Sequence, residues 1–252
     1  MHSYNIVTFE EVTSTNEIAL QAGKTDGLSD TVYVADRQTA GRGRRGRTWE
    51  SSGTQNLYFS LLLCPKVSVD RVHMVTLVMA YALAKAIREL TGENSAQIKW
   101  PNDIVVNGKK VAGILTEMGF REDKSFFIVI GVGVNLETQD FEEELRDKAT
   151  DIQTQYGCKI DKMTLLEKVL EFFEKECKIF VKQQDLSSLL SEYNGMLVNR
   201  EKCVRVLDPK GEYQGVATGI NEVGELLVQM SDGSMKNVYA GEVSVRGVYG
   251  YV

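Results

Sequence analysis

Near residue 198 the hydrophobic rhythm of this 252-residue chain changes, and no other single feature constrains its fold as much. Before that point, helical periods alternate with β-branched and apolar runs. After it come short alternating segments at 203–207, 214–220, 226–230, 236–240 and 243–245, punctuated by Asp208-Pro209, Asn221, Gly224 and Asp232-Gly233. Five short strands crowded into so little chain read as a small β-barrel. The length suits one domain of ordinary size plus a small one, since domains run to roughly 100–200 residues. The expected division is 1–198 and 199–252.

The first part reads as an α+β domain. Ser14 followed by Glu17 has the form of a capping box and predicts a short helix to about Gly23. Strands are expected at 31–36 and 57–63. Apolar residues recur at helical spacing over 70–90, with Gly92 to close the helix. Further strands are expected at 97–100, 104–106 and 111–118, with Asn107-Gly108 making a type I′ hairpin between the last two. FFIVIGVGV, at 126–134, reads as a central strand. A second long helix is expected over 164–180, opened by a capping box of Thr164 and Glu167, and a third over 186–197.

Composition removes several classes of function. The longest uncharged apolar run, 74–84, falls well short of the roughly 18 residues a membrane helix needs. The opening residues lack a basic segment followed by an apolar one, so no secretory signal is expected and the cytoplasm is the expected compartment. Cys64, Cys158, Cys177 and Cys203 are too scattered for a zinc site, as are His2 and His73. Two histidines also leave little room for an imidazole-based mechanism. A net charge of −6 argues against nonspecific nucleic-acid binding.

Against that acidic background, Arg37, Arg42, Arg44, Arg45 and Arg47 fall within eleven residues, interleaved with Gly41, Gly43 and Gly46. Glycines let backbone approach a ligand, and guanidinium groups pair with phosphate or carboxylate oxygens. The loop reads as a clamp for a small anion; a solvated basic loop or an RNA-binding tract is the alternative. The literal G-x-G-x-x-G match is not a dinucleotide fingerprint, because no helix signal follows and no acidic residue closes the next strand.

Three further groups carry chemistry. Lys99-Trp100-Pro101-Asn102-Asp103 presents an amide and a carboxylate beside a lysine, although an ordinary Pro-Asn-Asp turn would read the same way. Lys109 suits an exposed edge, whereas Lys110 points to the opposite face and, on strict alternation, shares it with Ile114 and Thr116. Gly131 and Gly133 clear one face of their strand, either as a slot for a flat ligand or as a bend, and Asn135 ends that strand.

Taken in order, Gln38-Thr39-Ala40-Gly41-Arg42-Gly43-Arg44-Arg45-Gly46-Arg47-x-Trp49, Lys99-Trp100-Pro101-Asn102-Asp103, Lys110-x-x-Gly113-Ile114-Leu115-x-Glu117 and Gly131-x-Gly133-x-Asn135 resemble biotin protein ligase, and Ser14-Thr15-Asn16 fits the same pattern. The resemblance spans nearly the whole chain. It implies a mixed sheet flanked by helices, like a class II synthetase or biotin–lipoate ligase catalytic domain, with a small SH3-like barrel at the C-terminal end. The chain looks like the monofunctional type, without a DNA-binding helix-turn-helix.

The resemblance implies two steps. Biotin and MgATP give biotinyl-5′-AMP and pyrophosphate, and a carrier-protein lysine then displaces AMP. Ser14, Thr15 and Gln38 would hold the ring end of biotin, with backbone at Gly41, Arg42, Gly113, Gly131 and Gly133 lining its slot. Arg44 and Lys110 would contact the carboxylate and α-phosphate. Arg47 and Lys99 would bind phosphates, Trp49 would pack on adenine and Asn135 would meet its edge. Asn102 and Asp103 would sit near a Mg²⁺ or the incoming lysine, with Asp103 a candidate base and candidate metal ligand. The implied partner is the biotin carboxyl carrier protein of a carboxylase, and the implied assembly a homodimer, with no DNA and no membrane.

Overall fold

The computed structural model describes residues 4–25, 29–51, 53–138, 141–208, 211–240, 244–247 and 251–252. His2, Pro209 and Val243 lie outside the described residues.

The first part is built on a seven-stranded sheet ordered β1-β2-β3-β7-β6-β5-β4. Its strands are β1 (Asn5–Val12), β2 (Thr31–Gln38), β3 (Leu57–Leu63), β4 (Gln97–Lys99), β5 (Asp103–Val106), β6 (Lys109–Phe120) and β7 (Phe126–Val134). β1 runs parallel to β2, and the other pairs are antiparallel. The sheet is therefore mixed, as the resemblance implied.

Helix α1 (Thr15–Gly23) covers one face, over a small core of Ala19, Tyr33, Leu62, Phe127 and Val129. Helices α2 (Val72–Thr91) and α4 (Lys162–Gln183) cover the other, over the main core. Covering on both faces explains why β3 and β7 read as unbroken apolar runs rather than alternating ones. β1 escapes sequence reading for the opposite reason. It is an edge strand carrying Glu10 and Glu11, and charge on an edge guards against strand pairing while hiding the strand signal.

Asn107 and Gly108 both take positive φ, 49° and 78°, as a type I′ turn requires. Gly92 closes α2 in the left-handed region at φ 72°. The two capping boxes are not formed as expected. Ser14 makes no side-chain cap bond, and Glu17 instead accepts from Thr13 Oγ1 at 2.6 Å. The second long helix starts earlier, where Asp161 accepts from the Thr164 backbone N–H at 2.8 Å. Two short helices, α3 (Ile152–Tyr156) and α5 (Leu190–Met196), complete the layer. α5 is shorter than the 186–197 expected, and α3 has too few residues to show a period.

Beyond α5 lies a five-stranded antiparallel sheet ordered β11-β10-β9-β8-β12. It comprises β8 (Lys202–Leu207), β9 (Tyr213–Ile220), β10 (Leu226–Gln229), β11 (Met235–Val238) and β12 (Ser244–Gly247). Among the described residues β11 and β12 are not hydrogen-bonded to each other, so the SH3-like unit is not a closed ring. Its Val204, Ala217, Leu226 and Val228 join the main core, and Trp100 Nε1 donates to the Gly224 carbonyl at 3.0 Å. The small unit is thus packed against the strand that leads into Lys99 and Asp103. No helix among the described residues is long and apolar enough to cross a membrane.

Candidate active site

A recess opens on the α1 face of the sheet, where β6 and β7 run side by side. Its floor is made of glycine. Gly113 faces Gly133 across the β6–β7 pair, and Leu115 faces Gly131. A Cβ on Gly133 would sit 2.5 Å from the Trp49 ring, and one on Gly113 would sit 2.8 Å from both that ring and Lys110 Nζ. A Cβ on Gly131 would lie 2.7 Å from Asn16 Cγ and closer still to its carbonyl oxygen. The missing side chains are what let Trp49, Lys110 and Asn16 lie directly on the sheet.

One end of the recess is a connected polar wall. Gln38 Oε1 accepts from the Thr15 N–H at 2.9 Å and from its hydroxyl at 3.2 Å. Ser60, from β3, donates within reach of both Thr15 Oγ1 and Asn16 Oδ1, at 2.8 and 2.5 Å. Asn16 Nδ2 donates to Glu117 at 2.8 Å, and Glu117 pairs with Arg42 at 2.8 Å. Buried polar groups joined in this way have fixed donor and acceptor directions, which suits recognition of a polar ring edge.

The other end is cationic. Lys110 Nζ lies 2.7 Å from Asp103 Oδ1 and 5.1 Å from the Trp49 ring centre. Tyr251 donates its hydroxyl to the other Asp103 oxygen, and its ring lies under Lys99 Nζ at 3.3 Å. Arg44 donates to Asn102 Oδ1 at 2.7 Å and to the Ala240 carbonyl at 2.9 Å, reaching both parts of the chain. Burial pushes the Asp103 carboxyl up, but Lys110 and Tyr251 outweigh it and hold the group below its ordinary value. Burial pulls Lys99 down to about 8, helped by Lys110, Arg246 and Arg47 and opposed by Asp103. Burial, followed by Asp103, raises Tyr251 well above the ordinary phenol, so it stays a donor.

Most of the sequence-predicted residues meet at this recess. Ser14, Thr15, Gln38, Arg42, Arg44, Trp49, Asn102, Lys110, Gly113, Gly131 and Gly133 line it. Gly41 and Arg47 lie in the adjoining recess enclosed by the Gly/Arg loop itself. Lys99 and Asp103 sit behind the cationic end through the contacts above. Asn135 is not brought to the recess. It is buried, with its side-chain amide on the Thr150 carbonyl at 3.1 Å and its own N–H on Val111.

Strict alternation along β6 fails in one place. Ile104 opposes Ala112 while Val105 opposes Lys110, so β6 carries an extra residue, Val111. The bulge puts Lys110 on the face of Gly113 rather than that of Thr116, whose hydroxyl meets Thr76 of α2 at 2.8 Å. Sequence reasoning assigned no role to Asn16, Ser60, Glu117 or Tyr251. Asn16 and Glu117 stand inside the motifs, and that was the available signal; Ser60 and Tyr251 had none.

A metal held by the protein does not fit here. Both Asp103 oxygens are engaged, cations surround it, and the described residues contain no cluster of three His, Cys, Asp or Glu side chains able to hold an ion.

Residues 8–135 match the biotin/lipoate A/B protein ligase family, and residues 201–246 match the biotin protein ligase C-terminal domain. A bifunctional ligase/repressor of Bacillus subtilis is 34% identical over 96% of this chain and 74% of its own length. The chain belongs to the biotin/lipoate A/B protein ligase family. Other relatives of this ligase agree. A biotin–[acetyl-CoA-carboxylase] ligase of Mycobacterium tuberculosis is 28% identical over 91% of this chain and 85% of its own. A biotin protein ligase of Aquifex aeolicus, solved with biotin and ATP, superposes with a TM-score of 0.84 at 32% identity, covering 96% of the ligase and 99% of that chain.

Proposed function

We propose that this ligase attaches biotin to a lysine of a biotin carboxyl carrier protein, through biotinyl-5′-AMP. The observation that carries the reading is the juxtaposition of a glycine-floored slot, polar at one end, with Lys110, Arg44 and Lys99 gathered at the other. A carboxylate does not acylate an amine in water, and bringing it against a triphosphate costs repulsion between anions. Lys110 and Arg44 at the slot, with Lys99 behind them, offset that repulsion where negative charge develops.

In the first step a biotin carboxylate oxygen attacks the α-phosphorus of MgATP, a P–O bond forms, and pyrophosphate leaves with the electrons of the broken bond. Lys110 and Arg44 stand where the new anhydride would lie, and Lys99 and Arg47 serve the phosphates. Magnesium arrives as part of the nucleotide substrate. In the second step the carrier lysine, as the free amine, attacks the anhydride carbonyl, the C–O bond to AMP breaks, AMP leaves with its electrons, and the nitrogen's surplus proton passes to solvent. Thr15 and Gln38, braced by Ser60, hold the ring end, and Trp49, which lies on Gly113 and Gly133, packs on the adenine. Asp103, ionised and bound on both oxygens, is a poor proton acceptor at neutral pH; its role is to hold Lys110 in place. Two copies of the chain working as a dimer in the cytoplasm complete this reading. Repression, named for the Bacillus relative, is left with that relative.

Pyrophosphate exchange into ATP tests the proposal, run with biotin, lipoate and octanoate in parallel. Exchange with biotin is the expected result. Exchange only with lipoate or octanoate would move the chain to the lipoate branch of its family, and no exchange with any acid would end the adenylate reading.

Lys99 supplies a pH prediction. Its folded value of about 8 lies below the ordinary 10.5, so the ammonium persists below pH 8 and is lost as pH rises through it. The kcat/KM for MgATP should hold level below pH 8 and decline above it, since this parameter reports groups of the free enzyme. Lys99→Met should be low throughout and lack that inflection. An unchanged inflection in the variant would assign it to another group.

A further inference from the structure

The Gly/Arg loop bonds mainly to itself. The Gly43 N–H donates to the Arg47 carbonyl at 2.7 Å, the Trp49 N–H donates to Gly41 at 2.9 Å, and Arg42 bridges Thr48. What fixes such a hairpin over the sheet is its side chains. Arg44 ties one side to Asn102 and Ala240. On the other side Arg42 meets Glu117, whose second oxygen takes the amide of Asn16. Glu117 stands on β6 opposite Val129, two residues beyond Leu115 and four beyond Gly113. It joins the loop above the recess to the asparagine that lies on Gly131 in its floor.

We propose that Glu117 is the positioning residue that latches the Gly/Arg loop over the slot and, through Asn16, registers that closure with the slot floor. The inference deepens the proposed function and rests on it for its consequence, retention of the adenylate, but not for the latch itself. Two donors, a guanidinium and an amide, each need an acceptor, and a carboxylate supplies both while matching the guanidinium charge. A glutamine of the same size supplies one acceptor and turns an N–H toward the other donor. Glu117→Gln therefore breaks one arm of the latch without opening a cavity.

The test reads the latch and its consequence separately. Hydrogen exchange over residues 41–49 of the ligand-free protein should quicken about three- to tenfold in Glu117→Gln, the range for losing a half-exposed ion pair together with a satisfied amide. Release of biotinyl-5′-AMP, chased with unlabelled biotin and ATP, should quicken by a similar factor and by more than the single-turnover rate of adenylate formation changes. Exchange in the core strand β7, over 126–134, should stay at the wild-type rate. Loop exchange unchanged in both Glu117→Gln and Glu117→Ala overturns the latch. Quickening spread equally over β7 also overturns it, since Glu117 would then be a general stabiliser. Faster loop exchange with unaltered adenylate release sustains the latch and refutes its role in retention. Failure of wild type to form any adenylate would instead refute the functional reading, while loop exchange still judges the latch.

Discussion

Replacing Lys110 by alanine is expected to slow biotin-dependent pyrophosphate exchange by about 10²–10³-fold, the cost of removing one well-placed donor from a developing anion. Biotin affinity should fall far less, because the polar wall of Thr15 and Gln38, to which the proposed reading gives the ring, lies at the opposite end of the recess. The ammonium lies over Gly113 and bonds Asp103 at 2.7 Å, so its position is set by groups that the ligand need not rearrange. Removing it also leaves Asp103 with only neutral donors, the Tyr251 hydroxyl and the Asn102 amide. The carboxyl should then drift upward toward neutrality, since Lys110 is the largest influence holding it down. Exchange kinetics and calorimetric biotin binding on the same preparation check the split. Equal losses in both would show that Lys110 serves binding rather than the chemical step.

Gly131→Ala is the second large effect, and it arises from space rather than backbone strain. Gly131 is not among the positive-φ glycines, so alanine is allowed there conformationally. Its methyl group, however, would overlap Asn16, with the amide carbon 2.7 Å away and the carbonyl oxygen nearer. Asn16 cannot yield cheaply, since Ser60, Glu117 and the Leu115 carbonyl all hold it. Overpacking together with broken buried hydrogen bonds predicts a loss of about 2–4 kcal/mol of stability. More than tenfold of biotin affinity should go with it. Pairing the change with Asn16→Ala should restore much of the stability and none of the affinity, a non-additivity expected of groups in contact. Denaturant unfolding and biotin titration of the two single variants and the double variant measure both. A fully additive cycle would mean that the two residues do not meet.

Much of this was legible along the chain. FFIVIGVGV and LYFSLLL read as buried strands because both faces are covered, and Asn107-Gly108 marked its turn because few residue pairs tolerate two positive φ values. The motifs named most of the recess because each is a short stretch in or beside one element, whose nearby residues reach the recess together. The capping residues were misjudged because Thr13 and Asp161 compete for the same groups a residue or more away. Composition and periodicity could not distinguish these competitors.

Local order in sequence therefore determined most of the strands and helices, β1 and α3 excepted, where the rhythm breaks, and which short segments carry chemistry. Those properties depend on neighbours a few residues apart. Which side chains share a face and which partners they find was decided by strand register and packing. The single extra residue at Val111 turns Lys110 onto the glycine floor, a matter of one bulge in a pair of strands. Asn16 meets Glu117 across 101 residues, and Tyr251 meets Asp103 across 148. Such contacts exist only once the sheet has set its register and the C-terminal strands have packed against it, because nothing local links the chain segments that make them.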